Sequence, residues 1–140
     1  MTTLICIAGI FNFNWRKNGK IDCLHVIRQT VPDDDVNLTF GNNSLNVGIR
    51  FVECIIFAIP SSVSIRKFIP NLTVLAVNNS KLSKITSEDL KGYECLRDLY
   101  IEFCEIDYLP GDLFEYTPNL EIISFHDNKI KYIDEGILEP

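Results

Sequence analysis

The chain has 140 residues, 46% of them hydrophobic and 23% charged. That fits one globular or regularly stacked domain with a sizeable core and excludes a disordered chain. Its 13 basic residues face 19 acidic ones, a formal net charge of −6, which disfavours nucleic acid and anionic membranes as partners and suits a basic protein surface.

The apolar runs Leu4 to Phe11 and Cys54 to Pro60 fall well short of the roughly 18 residues that span a bilayer. The start, MTTLICIAGIFNFNW, lacks both a positive charge before its apolar run and a small-residue cleavage site after it. It therefore reads as part of the folded protein, any secretion signal having been removed. The segment from Cys6 to Cys23 holds two cysteines, the single tryptophan and a glycine turn. A weak strand is expected around Val36 to Phe40.

From Asn46 onward the chain repeats. Leu72-x-x-Leu75-x-Val77-x-x-Ser80-x-Leu82 recurs as Leu96-x-x-Leu99-x-Ile101-x-x-Cys104-x-Ile106 and as Leu120-x-x-Ile123-x-Phe125-x-x-Asn128-x-Ile130, each 24 residues after the last (96 − 72 and 120 − 96). An earlier unit, Ile49-x-Phe51-x-x-Cys54-x-Ile56-x-x-Ile59, fits the frame with a start 26 residues before Leu72 (72 − 46). Further along each unit Ile85, Leu109 and Ile133 match, as do Leu90, Phe114 and Leu138. The predicted organisation is an amino-terminal region over 1–45 and repeats over 46–71, 72–95, 96–119 and 120–140, the last incomplete.

Apolar and polar residues alternate in each central segment, as in a short strand with one buried and one wet face. No unit can bury its apolar face alone, so the units must stack. Pro60, Pro70, Pro110, Gly111 and Pro118 break the return paths, where Ser87 to Lys91 has room for one helical turn.

This pattern resembles the leucine-rich repeat family, LxxLxLxxN/CxL in units of 20 to 29 residues. The resemblance covers about two thirds of the chain and implies a mostly β, α/β solenoid with short parallel strands on its concave face and an amino-terminal cap hairpin. It gives the ninth position of each unit, Cys54, Ser80, Cys104 and Asn128, the work of satisfying backbone groups where the strand turns away. It likens the first segment to the disulfide-bonded cap of insect secreted repeat proteins, implying a Cys6–Cys23 pair, with a reduced hairpin as the alternative. Cys54 and Cys104, two rungs or about 10 Å apart, lie beyond disulfide reach. Cys95 is expected to be a buried thiol. Extracellular localisation draws support from glycosylation acceptors at Asn37, Asn42, Asn71 and Asn78.

Register places the wet side chains in columns: Gly48, Val74, Asp98 and Ile122; Arg50, Ala76, Tyr100 and Ser124; Val52, Asn78, Glu102 and His126. The candidate partner-binding face is thus Arg50, Asn78, Asp98, Tyr100, Glu102 and His126, an aromatic and acidic surface for a protein ligand with basic groups. His126 and Asp127 are expected to point apart, and no strand sets a nucleophile beside a base, so no enzymatic activity is expected. With no CxxC, HxxxH or glycine-rich phosphate loop, neither metal nor cofactor is expected. Leu120, Ile123, Phe125 and Ile130 belong to the last unit. They are expected to form an apolar edge through which the chain pairs as a homodimer. The expected function is a secreted binding module of the kind used in innate immunity, with self-assembly through that edge as the competing reading.

Overall fold

A computed structural model describes residues 2–6, 24–29, 46–53, 56–66 and 69–139. The Cys6–Cys23 pairing, Asn37, Asn42, Cys54 and the expected strand at 36–40 lie outside the described residues in whole or in part. Two antiparallel strands, β1 (Thr2–Cys6) and β2 (Leu24–Gln29), lead into β3 (Asn46–Val52), which pairs with β2 antiparallel. A helical turn α1 (Ser62–Arg66), β4 (Val74–Asn78), a second turn α2 (Ser87–Leu90) and β5 (Asp98–Glu102) follow. Then come β6 (Tyr108–Leu109), β7 (Ile122–Ser124) and β8 (Tyr132–Ile133).

From β3 onward the chain is a β-solenoid of about three turns with little helix. The strands β3, β4, β5 and β7 are parallel neighbours in one sheet, and β6 and β8 form a second, two-stranded parallel sheet. Residues one period apart lie side by side: Leu75 pairs with Leu99 and Leu99 with Ile123.

The alternation within each strand fixes which side is dry. Ile49, Phe51, Leu75, Val77, Leu99 and Ile101 are all at most 1% exposed. Full burial of such side chains stabilises by about 1.5–3 kcal/mol each. Leu82, Ile85 and Ile106 close the core from the return path. In unit 72–95 the convex anchor is Leu90 at 0% exposure, but in the next unit it is Leu113 rather than Phe114, which is only partly buried. Leu138 is 76% exposed, so the matched position is fully buried at Leu90, packs partly buried against the core at Phe114 and is exposed in the last unit.

The two helical turns differ in setting. α1, of five residues against four in α2, lies in the longer unit 46–71. At the start of α2 the Asp89 carboxylate accepts hydrogen bonds from the Thr86 backbone N–H (2.8 Å) and hydroxyl (3.0 Å), a capping arrangement that satisfies a helix-entry donor. Tyr93 is buried and donates its hydroxyl to the Pro60 carbonyl of the previous unit, and burial raises its pKa far above the ordinary phenol value. Gly92 lies at φ +89° directly over Ser62, where the units approach too closely for a side chain.

Cys95, expected to be buried, is exposed. It sits in the tight turn between Tyr93 and Leu96, whose side chains take the interior positions at 2% and 0% exposure.

Candidate functional site

Each rung leaves its strand through the same device. Glu53, Asn79, Phe103 and Asp127 all have φ between 52° and 55°, the left-handed region that asparagine and aspartate tolerate and that bulky residues seldom enter. The kink aims each backbone N–H at the next rung: Glu53 N–H donates to the Asn78 carbonyl (2.8 Å), Asn79 to Glu102 (3.1 Å) and Phe103 to His126 (3.2 Å). The residue after the kink then turns inward. Ser80 Oγ accepts from Ile56 N–H (3.3 Å) and donates to the Ile56 carbonyl (3.1 Å), binding rung to rung. Asn128 accepts from Ile106 N–H (3.1 Å) and donates to the carbonyls of Ile101 (2.7 Å) and Phe125 (3.0 Å).

Cys104 occupies the same place at 5% exposure, its thiol 3.3 Å from the Glu102 carbonyl and 3.7 Å from that of Val77. Burial pushes this thiol up, partly offset by the Ser80 backbone hydrogen bond. A buried, protonated thiol is a poor nucleophile.

On the other side of the strands the register aligns Gly48, Val74, Asp98 and Ile122 in one row and Arg50, Ala76, Tyr100 and Ser124 in the next. Val52, Asn78 and Glu102 form a third. Asp98, Tyr100, Glu102, Asn78 and Arg50 are each partly exposed. Gly48 and Ala76, expected to be wet, are buried: at Ala76 a lone methyl sits in register between the much longer Arg50 and Tyr100. Arg50 Nε is itself buried and has no hydrogen-bond partner among the described residues.

His126 lies beyond the last residue of β7, in the turn rather than on the strand. It still reaches the third row, with Nε2 3.3 Å from Glu102 Oε2. Asn78 Nδ2 donates to that same carboxylate oxygen at 3.1 Å. His126 and Asp127 do not point apart. The left-handed kink at Asp127 folds its carboxylate back until Oδ2 is 2.5 Å from His126 Nδ1. The Asp127 hydrogen bond raises the His126 pKa above its ordinary value, the two carboxylate charges adding to the effect and partial desolvation opposing it. Phe103, 48% exposed, meets the imidazole edge to face with ring centroids 4.9 Å apart.

The site is thus a hydrogen-bonded row, Asn78–Glu102–His126–Asp127, beside Phe103, Tyr100, Asp98 and Arg50. Phe103, His126 and Asp127 all lie beyond the ends of their strands, and of these Phe103 and Asp127 also fall outside the columns that the repeat register predicts. The sequence signal is faint at Phe103, because a left-handed residue announces itself only when it is glycine, asparagine or aspartate. Asp127 is of a tolerant type, but the four kinks include a glutamate and a phenylalanine, so residue type does not mark the position as a repeating one.

At the far end of the sheet Leu120, Phe125 and Ile130 are partly buried against the core and Ile123 is 37% exposed. Leu120 and Ile123 line an open cleft of about 580 Å³ together with Phe114 and Ile137. Among the described residues no three His, Cys, Asp or Glu side chains converge where a metal could be held, and no helix is long and apolar enough to cross a membrane. No protein-family model and no curated protein matches the chain.

Proposed function

We propose that this chain is a secreted leucine-rich repeat module that binds a protein partner through the concave sheet face, the partner presenting basic groups. The observation that carries the reading is the alignment of Asp98, Tyr100 and Glu102 on β5, flanked in register by Asn78 on β4 and Arg50 on β3. A rigid strand ladder holds an aromatic and two carboxylates on one partly exposed surface, the residue types that give contact area and charge selection. The overall charge of −6 steers a cationic partner toward it. Resemblance to insect extracellular repeat proteins supports a role as an innate-immune adaptor or receptor ectodomain segment.

Two acceptor asparagines bear on localisation. Asn71 is exposed, and Asn78 is on the binding face. A glycan at Asn78 stands among the proposed contacts and shifts binding to an edge or the convex side, so site occupancy by mass spectrometry is a direct check. The main test is affinity capture from the source's extracellular fluid with the wild-type chain and with Tyr100→Ala plus Glu102→Ala. Partner loss at unchanged oligomeric state supports recognition, and equal capture by both refutes it.

A second reading, self-association, is favoured by the half-covered apolar group Leu120, Ile123, Phe125 and Ile130 beside the cleft. Light scattering decides it. A concentration-dependent dimer that Ile123→Lys abolishes supports this interface, whereas a monomer at high concentration removes it.

A further inference from the structure

His126 meets a carboxylate at each ring nitrogen: Asp127 Oδ2 lies 2.5 Å from Nδ1 and Glu102 Oε2 lies 3.3 Å from Nε2. Ionised carboxylates only accept hydrogen bonds. A neutral imidazole carries one N–H and satisfies one of them, whereas an imidazolium donates to both. The geometry therefore matches the charged ring. The side chain is 52% exposed, so it exchanges its proton with solvent without any opening of the fold. The charged groups facing it are Glu102 from β5 and Asp127 from its own turn; Phe103 and, beyond Glu102, Asn78 are uncharged neighbours.

We propose that His126 is a proton-operated competitor for the partner's cationic side chain, filling Glu102 and Asp127 from within when charged and releasing at least one carboxylate to an external guanidinium or ammonium when neutral. The proposal rests on recognition of a basic partner by the concave face. Its direction follows from the chemistry. With its pKa raised by the two carboxylates, the imidazolium persists to higher pH than an ordinary histidine's. The face is occupied below that pKa and open above it, so affinity for a cation rises with pH. Linkage makes the effect mutual, since a bound cation displaces the proton and lowers the histidine pKa. Arginine is the best-suited ligand group, as its planar fork pairs bidentately with a carboxylate and stacks on an aromatic ring, which the half-exposed Phe103 supplies.

The test uses the intact chain and a fluorescently labelled hexa-arginine peptide at constant low ionic strength. Wild-type affinity is expected to fall about threefold to tenfold between roughly pH 8 and pH 5.5. His126→Gln is expected to flatten the pH dependence over that range, whatever its absolute affinity. Asp127→Asn removes one carboxylate from the ring and moves the midpoint to lower pH. The His126 imidazole proton resonances, followed by NMR, titrate at lower pH with peptide present. If Glu102→Gln binds the peptide as tightly as wild type at every pH, the face does not hold the cation and the underlying functional reading fails. If Glu102→Gln loses binding while His126→Gln keeps the wild-type pH profile, recognition stands and the competitor mechanism is refuted.

Discussion

Ser80→Ala removes one oxygen and leaves two backbone groups of the neighbouring rung without their partner. Ser80 is 7% exposed and Ile56 6%, and the hydroxyl serves both Ile56 N–H and Ile56 C=O. A buried polar group stripped of its partner costs about 1–3 kcal/mol. Two such groups set an upper bound of about 6 kcal/mol by the same measure. The bonds are long, at 3.1 and 3.3 Å, and alanine sheds the cost of burying a hydroxyl, so the expected loss is about 2 kcal/mol. Against a typical folding free energy of about 5–15 kcal/mol this is a large fraction. In urea, with a slope of roughly 2 kcal/mol per molar, it moves the midpoint down by about 1 M at unchanged slope. Ser80→Cys is expected to recover about half, because Cys104 fills the same position one rung later with a weaker, longer contact. A midpoint shift for Ser80→Ala below about 0.3 M at unchanged slope refutes the reasoning; the side chain at this position then contributes no rung-to-rung support.

Gly92→Ala adds a carbon 2.0 Å from Ser62 Oγ and 2.8 Å from Ser62 Cβ at φ +89°. Strain and overpacking together are expected to cost about 3 kcal/mol, and adding Ser62→Gly should return the steric share in a double-mutant cycle read by urea unfolding. In the native protein, mass-resolved alkylation should label exposed Cys95 first and Cys104 only on unfolding. Rapid native labelling of Cys104, whose thiol burial pushes up, is incompatible with the turn-support role.

The solenoid was legible because its two periods reinforce one another. The 24-residue spacing predicts which residues stack, and the alternation inside each strand predicts which face is dry. The pairings Ala76–Tyr100 and Asn78–Glu102 follow from those two facts, and Arg50–Ala76 and Val52–Asn78 follow once the first unit is given its 26 residues. The helical turn expected at Ser87 to Lys91 forms as α2 over Ser87–Leu90. Alternation says nothing about neighbouring bulk, which is why Ala76 was expected to be wet and is buried. It also ends where the strand ends. The meeting of His126 and Asp127 depends on a left-handed backbone at Asp127, a property of the turn rather than of the strand pattern. The second small sheet leaves no such signal. Leu109 and Ile133 read from the repeat as apolar positions on the return path, but two-residue strands at Tyr108–Leu109 and Tyr132–Ile133 are too short to carry a period.

Rung-to-rung pairing of unlike side chains runs through three columns. Arg97 holds Glu121 with three hydrogen bonds, Lys81 and Lys129 flank Glu105 at 3.6 and 3.8 Å, and Glu102 stands between Asn78 and His126. Deleting the 96–119 unit brings Lys129 beside Lys81 and leaves Glu121 facing Thr73, since both are one period from the residues removed. The units share a backbone plan but are not interchangeable modules. Their order is written in the side chains, so duplication or loss of a single unit exacts a penalty in mismatched charge, and growth of such a chain is constrained to whole, co-adapted neighbours.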